Sequence, residues 1–136
     1  MREITVDTDM EQIAPVTDFL NAQLKEIGCS ERVRIQLDVA ADEMFGNIVR
    51  YAYGTESGPV TVQVEVEENP LRVVLTFIDQ GIPFNPLTRE MPDTTRLKAK
   101  ERPIGGLGLF MVKKTMDDLS YEYRDGKNIL TIRKNI

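Results

Sequence analysis

The stretch GGLGLFMVKKTMD, residues 105–117, joins a glycine-rich run to a helical pattern. Leu109, Val112 and Met116 recur at the spacing of one helix face. This spacing predicts a helix from Gly106 to Asp117 that packs one apolar face against the rest of the fold.

The run Gly105-Gly106-Leu107-Gly108 lies at the start of that helix. Glycines let the backbone approach an anion closely, and the free N–H groups of a helix start favour phosphate. The run is not a P-loop, because no Gly-Lys-Ser/Thr follows it, and no strand precedes it as in a dinucleotide-binding fold. It indicates a phosphate site or, alternatively, a packed helix start that requires small residues.

The connection before this helix, residues 80–104, shows no hydrophobic periodicity and is rich in proline and basic residues. Such long connections in a compact domain are usually functional lids or disordered segments. The positive charge favours a cover over an anion, although a solvated loop explains the charge equally simply. We predict a lid over residues 80–104 that is mobile when the site is empty.

Two strands precede the predicted lid. Valines alternate with polar residues from Val60 to Glu67, and Leu71 to Ile78 is apolar on both faces toward its end, so the pair predicts an antiparallel hairpin with a central second strand. Asp79 ends that strand. Its carboxylate can accept a hydrogen bond from an exocyclic amino group such as that of adenine, or it can cap the turn that follows.

A long helix is predicted upstream, opened by Ser30 and running from Glu31 to about Tyr53. Glu43 and Asn47 lie four residues apart on one face, at the edge of its apolar stripe. A carboxylate at such a boundary can act as a general base, and an amide oxygen one turn away can bind magnesium. A solvated helix face is the alternative.

The remaining segments complete the order β-α-α-β-β-lid-α-β-β. They are a strand at Arg2–Asp7, a helix at Met10–Ile27 whose regular part starts near Ala14 because of Pro15, and strands at Leu119–Arg124 and Asn128–Lys134 around the turn Asp125-Gly126. This order predicts a two-layer α/β (α+β) sandwich, with a mixed sheet of about five strands and three main helices on one face.

Length and charge bound the function. The chain has 136 residues, which suits one domain over residues 1–136. Its net charge of −5 argues against nucleic-acid binding. It contains neither an apolar stretch long enough to cross a bilayer nor the pattern of a signal peptide, so we expect a cytoplasmic protein that does not bind membranes.

The absence of histidine excludes histidine-based triads, histidine metal sites and a phosphohistidine relay within this chain. A general base must then be a carboxylate or, less favourably, a lysine or tyrosine. A metal must be held mainly by oxygen, which points to magnesium rather than zinc. The single cysteine, Cys29, is interpreted as structural.

Three motifs in order resemble the ATPase superfamily of DNA gyrase, histidine kinases and MutL, known for the Bergerat fold. Glu-x-x-x-Asn is present as Glu43 to Asn47, Asp-x-Gly-x-Gly as Asp79 to Pro83, and the Gly-x-Gly that ends the ATP lid as Gly106 to Gly108. Within that superfamily the chain is most similar to the small bacterial anti-sigma-factor serine kinases. The stretches that carry this similarity are Phe84-Asn85-Pro86 and residues 105–117.

The resemblance implies a role for each motif residue. Asn47 would hold Mg²⁺, Glu43 would accept the proton of the attacking serine, Asp79 would recognise adenine, and Gly81 would leave room for the base. The run from Gly105 through Leu107 to Gly108 would bind the phosphates, with Gly106 and Gly108 using their backbone. Arg102 is the candidate for a family arginine that meets the γ-phosphate.

The resemblance also implies partners. The substrate would be a serine on an anti-anti-sigma protein of the STAS fold, the same surface region would bind a sigma factor, and the chain would form a homodimer. The alternatives are a non-catalytic, nucleotide-gated binding protein and a slow ATPase of the same fold.

The chain departs from the family pattern at three places. Pro83 replaces the last glycine of the second motif, and Tyr51 replaces a family histidine. Asn128 and Thr131 are the nearest polar residues to the paired threonines that the family often carries near adenine, and neither aligns cleanly.

Overall fold

The computed structural model describes residues 1–54, 56–88 and 104–136, and within the last segment it describes side chains from Gly108 onward. The elements are β1 (Arg2–Asp7), α1 (Ile13–Ile27), α2 (Glu31–Tyr51), β2 (Pro59–Glu67), β3 (Arg72–Asp79), α3 (Ile104–Thr115), β4 (Asp118–Arg124) and β5 (Lys127–Asn135). The predicted order of strands and helices is confirmed, with differences of one or two residues at most ends.

One sheet holds the five strands in the order β1-β2-β3-β5-β4. Each neighbouring pair is antiparallel, so the prediction of a mixed sheet was wrong. The physical reason lies in the last hairpin. The chain returns through α3, so β4 runs parallel to β3, but β5 lies between them and pairs with both. The predicted hairpin of β2 and β3 is confirmed.

The core lies between one face of this sheet and the three helices. Alternation along the strands places one set of apolar side chains on that face: Val60, Val62, Val64, Val73, Leu75, Phe77, Leu130 and Ile132. The helices contribute buried residues to the same cluster, which confirms the predicted two-layer arrangement. Along the predicted stripe of α2, Leu37, Ala40, Met44 and Ile48 are buried, whereas Val33 and Tyr51 at its ends are half-buried.

Local signals explain where the first two helices begin and end. A short 3-10 helix at Met10–Gln12 precedes α1, which begins at Ile13, close to the start that Pro15 indicated. Gly28 ends α1 with a left-handed φ of 85°. Ser30 then accepts a hydrogen bond on its Oγ from the N–H of Val33 at 3.2 Å, which caps the start of α2.

The third helix follows the predicted lid. It begins at Ile104, so the run Gly105 to Gly108 lies in its first turns, as the glycine pattern predicted. Its far end is held by Lys134, whose Nζ donates to the carbonyl of Thr115 at 2.7 Å. Residues 89–103 lie outside the described residues, so the mobile lid stays a prediction.

The turn between β4 and β5 is the predicted Asp-Gly turn. Asp125 and Gly126 both have positive φ, at 55° and 75°, as a two-residue hairpin turn requires. Among the described residues, none of the helices is both long and apolar enough to span a membrane.

Candidate functional site

Two of the motif side chains line one cavity between α2 and the sheet. Asn47 reaches it from α2 and Asp79 from the end of β3, and the other lining residues are Ile48, Ala52, Phe77, Phe84, Pro86, Tyr121, Asn128 and Leu130. Most of this lining is apolar or aromatic, with a few polar groups. That composition is typical of a small-molecule site.

Asp79 is buried at 4% exposure, and its Oδ1 carries two hydrogen bonds. The N–H of Gly81 donates to it at 2.9 Å, and Nδ2 of Asn128 donates to it at 2.9 Å. Burial raises the pKa of Asp79 above its ordinary value, and the hydrogen bonds from Asn128 and Gly81 oppose that rise. The Gly81 bond is also the turn cap that the sequence left open as an alternative.

Gly81 lies against the end of α2. A Cβ at this position would lie 2.1 Å from the carbonyl oxygen of Ala52, and the next N–H, of Ile82, donates to the same oxygen at 2.8 Å. The loop after β3 is therefore clamped to the helix that carries Glu43 and Asn47. The fold itself requires a glycine here, independently of any role in leaving room for a base.

We expect Gly81→Ala to lower the free energy of unfolding by about 3 kcal/mol, because the added methyl overlaps backbone that cannot move alone. Urea unfolding measures this change. Gly54→Ala is the matched control: its φ of 64° strains alanine, but among the described residues a Cβ there meets nothing within 4 Å. Gly54→Ala should lower the free energy of unfolding by about 1 kcal/mol. Equal losses in the two variants would contradict the clamp.

Glu43 lies beside Asn47 and against α3. Nδ2 of Asn47 donates to Oε1 of Glu43 at 3.5 Å, across one turn of α2. On its other side, a Cβ at Gly108 would come within 2.1 Å of Oε2 of Glu43. The missing side chain at Gly108 therefore makes the space in which the Glu43 carboxylate sits, beside the glycine-rich start of α3.

We expect Gly108→Ala to displace the Glu43 carboxylate while the backbone N–H at position 108 is kept. If Glu43 is a general base, transfer of phosphate from ATP should slow by about tenfold, with ATP affinity nearly unchanged. Single-turnover kinetics and calorimetric titration separate the two quantities.

Gly46→Ala is the matched helical control for Gly108→Ala. The three atoms nearest to a Cβ at Gly46 all belong to the flexible Arg50 side chain, the first of them at 3.4 Å. Its transfer rate should stay at the wild-type value, and its helix should gain about 1 kcal/mol of stability. An unchanged rate in Gly108→Ala would show that the position of Glu43 does not limit transfer.

Asn128 is a site residue that the sequence analysis named only as one of the nearest polar residues to the family threonines near adenine, without assigning it a role. It is buried at 4% exposure, pairs directly with Asp79 in the β3–β5 register and lines the same cavity. Asparagine is common next to turns such as Asp125-Gly126, so the local sequence pattern does not indicate that Asn128 belongs to the site. Only the insertion of β5 beside β3 brings the two residues together.

The aromatic side chains around the cavity also come from separate segments. Tyr51, at the end of α2, stacks on Phe84 with 4.9 Å between ring centroids. Tyr53 donates to the carbonyl of Pro59 at 2.6 Å and accepts from the N–H of Gln80 at 2.8 Å. These contacts fix the loop after β3 from the helix side.

The other predicted site residues are placed only in part. The backbone of Gly105, Gly106 and Leu107 belongs to the first turns of α3. Their surroundings and the Leu107 side chain lie outside what the structure describes. Arg102 lies outside the described residues, so its role toward the γ-phosphate stays a prediction.

The chain matches a family model described as "Histidine kinase-like ATPase domain" over residues 6–134. It is 34% identical over 103 residues to the serine/threonine-protein kinase BtrW of Bordetella bronchiseptica, covering 76% of this chain and 71% of that protein. It is 34% identical over 98 residues to the serine-protein kinase RsbW of Listeria innocua, covering 69% of this chain and 61% of that protein.

The chain thus spans less than two thirds of the RsbW protein that it matches. Among solved structures, the Acinetobacter baumannii histidine kinase AdeS is similar with a TM-score of 0.48 and 15% identity, covering 99% of this chain and 68% of that chain. The match over residues 6–134 and the identity to BtrW decide the assignment: the chain belongs to the histidine kinase-like ATPase family, in the group that contains the serine/threonine-protein kinase BtrW.

Proposed function

We propose that this chain is an ATP-dependent protein-serine kinase. The observation that carries the proposal is the arrangement around α2. Asn47 and Asp79 share one cavity, and Glu43 lies one turn from Asn47, against the first turns of α3. In this proposal, Asp79 recognises the base, Asn47 is the metal ligand and Glu43 is the general base. The start of α3, beside Glu43, binds the phosphates.

Asp79 recognises the adenine in this proposal. Its Oδ1 is already occupied by donors from Gly81 and Asn128, so Oδ2 is the atom that accepts from the exocyclic amino group. Guanine presents a carbonyl oxygen at that position, which a carboxylate repels, so the same atom favours ATP over GTP.

The phosphates lie over the start of α3, where the N–H groups of the glycine-rich run point along the helix axis. Because α3 begins at Ile104, the free N–H groups of Gly105 and Gly106 would supply these donors, whereas Leu107 and Gly108 lie one residue or more beyond the free donors of the first turn. Arg102 would add a positive charge at the γ-phosphate. The contact with Glu43 accounts for the small residue at Gly108 by packing, so the support for phosphate binding is the first-turn N–H groups and the motif resemblance.

Asn47 is the residue that would hold Mg²⁺. The Nδ2 donates to Glu43, which makes the Oδ1 the acceptor atom of this buried amide, and amide oxygens suit this hard cation. When bound, Mg²⁺ would neutralise negative charge on the phosphates. The contribution of Asn47 would be its Oδ1 atom, held in a fixed position as a ligand for the cation.

Glu43 removes the proton from the attacking hydroxyl. The serine oxygen forms a bond to the γ-phosphorus while the bond from phosphorus to the bridging oxygen of ADP breaks, and the serine proton passes to the Glu43 carboxylate. Such transfer depends chiefly on positioning and charge neutralisation.

The proposed substrate is a serine of an anti-anti-sigma protein with the STAS fold, and the proposed second partner is a sigma factor. We also propose a homodimer and a cytoplasmic location. The motif resemblance and the similarity to proteins named serine-protein kinases support these proposals.

Transfer of label from ATP tests the function. The chain is incubated with γ-labelled ATP, Mg²⁺ and a co-encoded STAS protein, with a serine-to-alanine form of that protein as the control. Label on the STAS serine supports the kinase. Label that stays on bound nucleotide points to a nucleotide-gated binding protein, and free phosphate in the absence of partner points to a slow ATPase.

A further inference from the structure

Asn128 uses both ends of its side chain within the protein. Its Nδ2 donates to Oδ1 of Asp79 at 2.9 Å and to the carbonyl of Ile82 at 2.8 Å, with a longer contact of 3.5 Å to the carbonyl of Gly81. Its Oδ1 accepts from the N–H of Phe84 at 3.1 Å and from the hydroxyl of Tyr121. One buried amide therefore joins β3, β4, β5 and the loop after β3.

These bonds decide which oxygen of Asp79 meets a ligand. Asn128 and Gly81 both donate to Oδ1, and among the described residues no donor reaches Oδ2. The carboxylate is thereby fixed in its plane with one oxygen bound to the protein. An Asp79 held only by Gly81 would keep one of the two bonds and could turn about its last torsion.

We propose that Asn128 is a positioning residue for base recognition: it fixes the Asp79 carboxylate and the loop of residues 81–84 so that Oδ2 meets the exocyclic amino group of adenine. The inference rests on the proposed binding of ATP and adds a residue to that site. Both hydrogens and the oxygen of the Asn128 amide are already engaged, so this side chain acts through Asp79 and does not contact the base.

The ionisation of Asp79 gives this role a pH signature. The Asn128 bond opposes the rise in the pKa of Asp79, so its removal lets the pKa climb further. Among the residues that the structure describes, Tyr53 and Tyr121 are the titratable groups that interact with the charge of this carboxylate. Burial raises the pKa of both phenols, and the Asp79 charge adds to the rise, so both stay neutral while Asp79 titrates.

The experiment measures the ratio of affinities for ATP and for purine riboside triphosphate, which lacks the exocyclic amino group. Phosphate ionisation is common to both nucleotides and cancels in the ratio. In the wild type we expect ATP to bind about 30-fold more tightly. In Asn128→Ala the ratio should fall to about threefold at neutral pH, and the pH below which discrimination is lost should move upward.

Asn128→Asp carries the test if the alanine variant fails to fold. Its shape is the same, but its new carboxyl can donate to Asp79 only while protonated. The ratio in this variant should therefore fall as pH rises and the new carboxyl loses its proton, whereas in the wild type the ratio rises as Asp79 ionises. Asn135→Ala, an exposed asparagine at the far end of β5, is the control and should keep the wild-type ratio.

The outcomes separate the inference from the proposed function. If the wild type binds neither nucleotide, the proposed ATP site fails. If the wild type discriminates and both Asn128 variants keep its ratio within about twofold across the pH range, ATP binding stands and the positioning role of Asn128 is overturned.

Discussion

Glu43→Gln is expected to slow phosphoryl transfer to a protein serine by about 10²- to 10⁴-fold, the range in which general bases contribute. Glutamine keeps the shape of the side chain and an oxygen that can still accept from Nδ2 of Asn47, as Oε1 of Glu43 does at 3.5 Å. It cannot take up a proton. The Kd for ATP should therefore stay within about threefold of the wild type, because the fold and the Asn47 contact are retained.

Rapid-quench measurement of label transfer under single-turnover conditions, paired with calorimetric titration of ATP, checks this prediction. Glu31→Gln is the matched control, because it makes the same chemical change on the same helix, about 18 Å away along the axis. That residue is exposed and pairs only weakly with Arg34 at 3.7 Å. Transfer at the wild-type rate in Glu43→Gln would mean that the serine proton leaves by another route, as a loose transition state allows.

The strands and helices were predictable because each is marked by a local signal. Alternating valines mark β2, and Ser30 and Gly28 mark the ends of neighbouring helices through a cap and a left-handed φ. The start of α3 was placed two residues late, at Gly106, since glycine is a poor helix former and the pair Ile104-Gly105 was placed before the helix. The structure shows that the helix already includes it.

The arrangement of the strands was less predictable than the strands themselves. A strand, a crossover helix and another strand usually form parallel neighbours, which suggested a mixed sheet. The last strand, β5, takes the place between β3 and β4 instead, and its sequence pattern would be the same at an edge. The same insertion brings Asn128 beside Asp79, so the missed residue and the wrong sheet type have one cause.

The motif residues show how far sequence patterns reach. Glu43 and Asn47 were placed together by helical spacing alone, and the structure brings them to 3.5 Å. The contact between Glu43 and Gly108 joins two helices far apart in the chain, and no periodicity encodes it. The packing of Gly81 on Ala52 is of the same kind. Glycines in motifs therefore carry steric information that only the packed structure reveals.

Asp79→Asn is expected to weaken ATP binding by about 30- to 1,000-fold, which is about 2–4 kcal/mol. The amide oxygen can replace Oδ1 and accept from Gly81 and Asn128 as before, at the 2.9 Å seen for each bond. An NH₂ group then takes the place of Oδ2. A donor would face the donor of the adenine amino group, so the variant loses a favourable contact and gains a repulsive one.

The stability of this variant should move in the opposite direction to its affinity. Because the folded pKa of Asp79 is raised, the wild type is more stable when this carboxyl is protonated, and it loses that stability as pH rises from the ordinary pKa through the raised one. Asparagine removes the buried charge. Near neutral pH, Asp79→Asn should therefore unfold at the same or a higher urea concentration than the wild type, and the difference should vanish in acid.

Titration of ATP by calorimetry and urea unfolding at two pH values check both halves of this prediction. Asp125→Asn is the matched control, because it makes the same change in an exposed turn where φ is 55° and asparagine is well tolerated. Its affinity for ATP should equal that of the wild type. ATP affinity retained in Asp79→Asn would remove this residue from base recognition, and the positioning role of Asn128 would fall with it. A weaker affinity with lowered stability at neutral pH would instead mean that the loop after β3 had come apart.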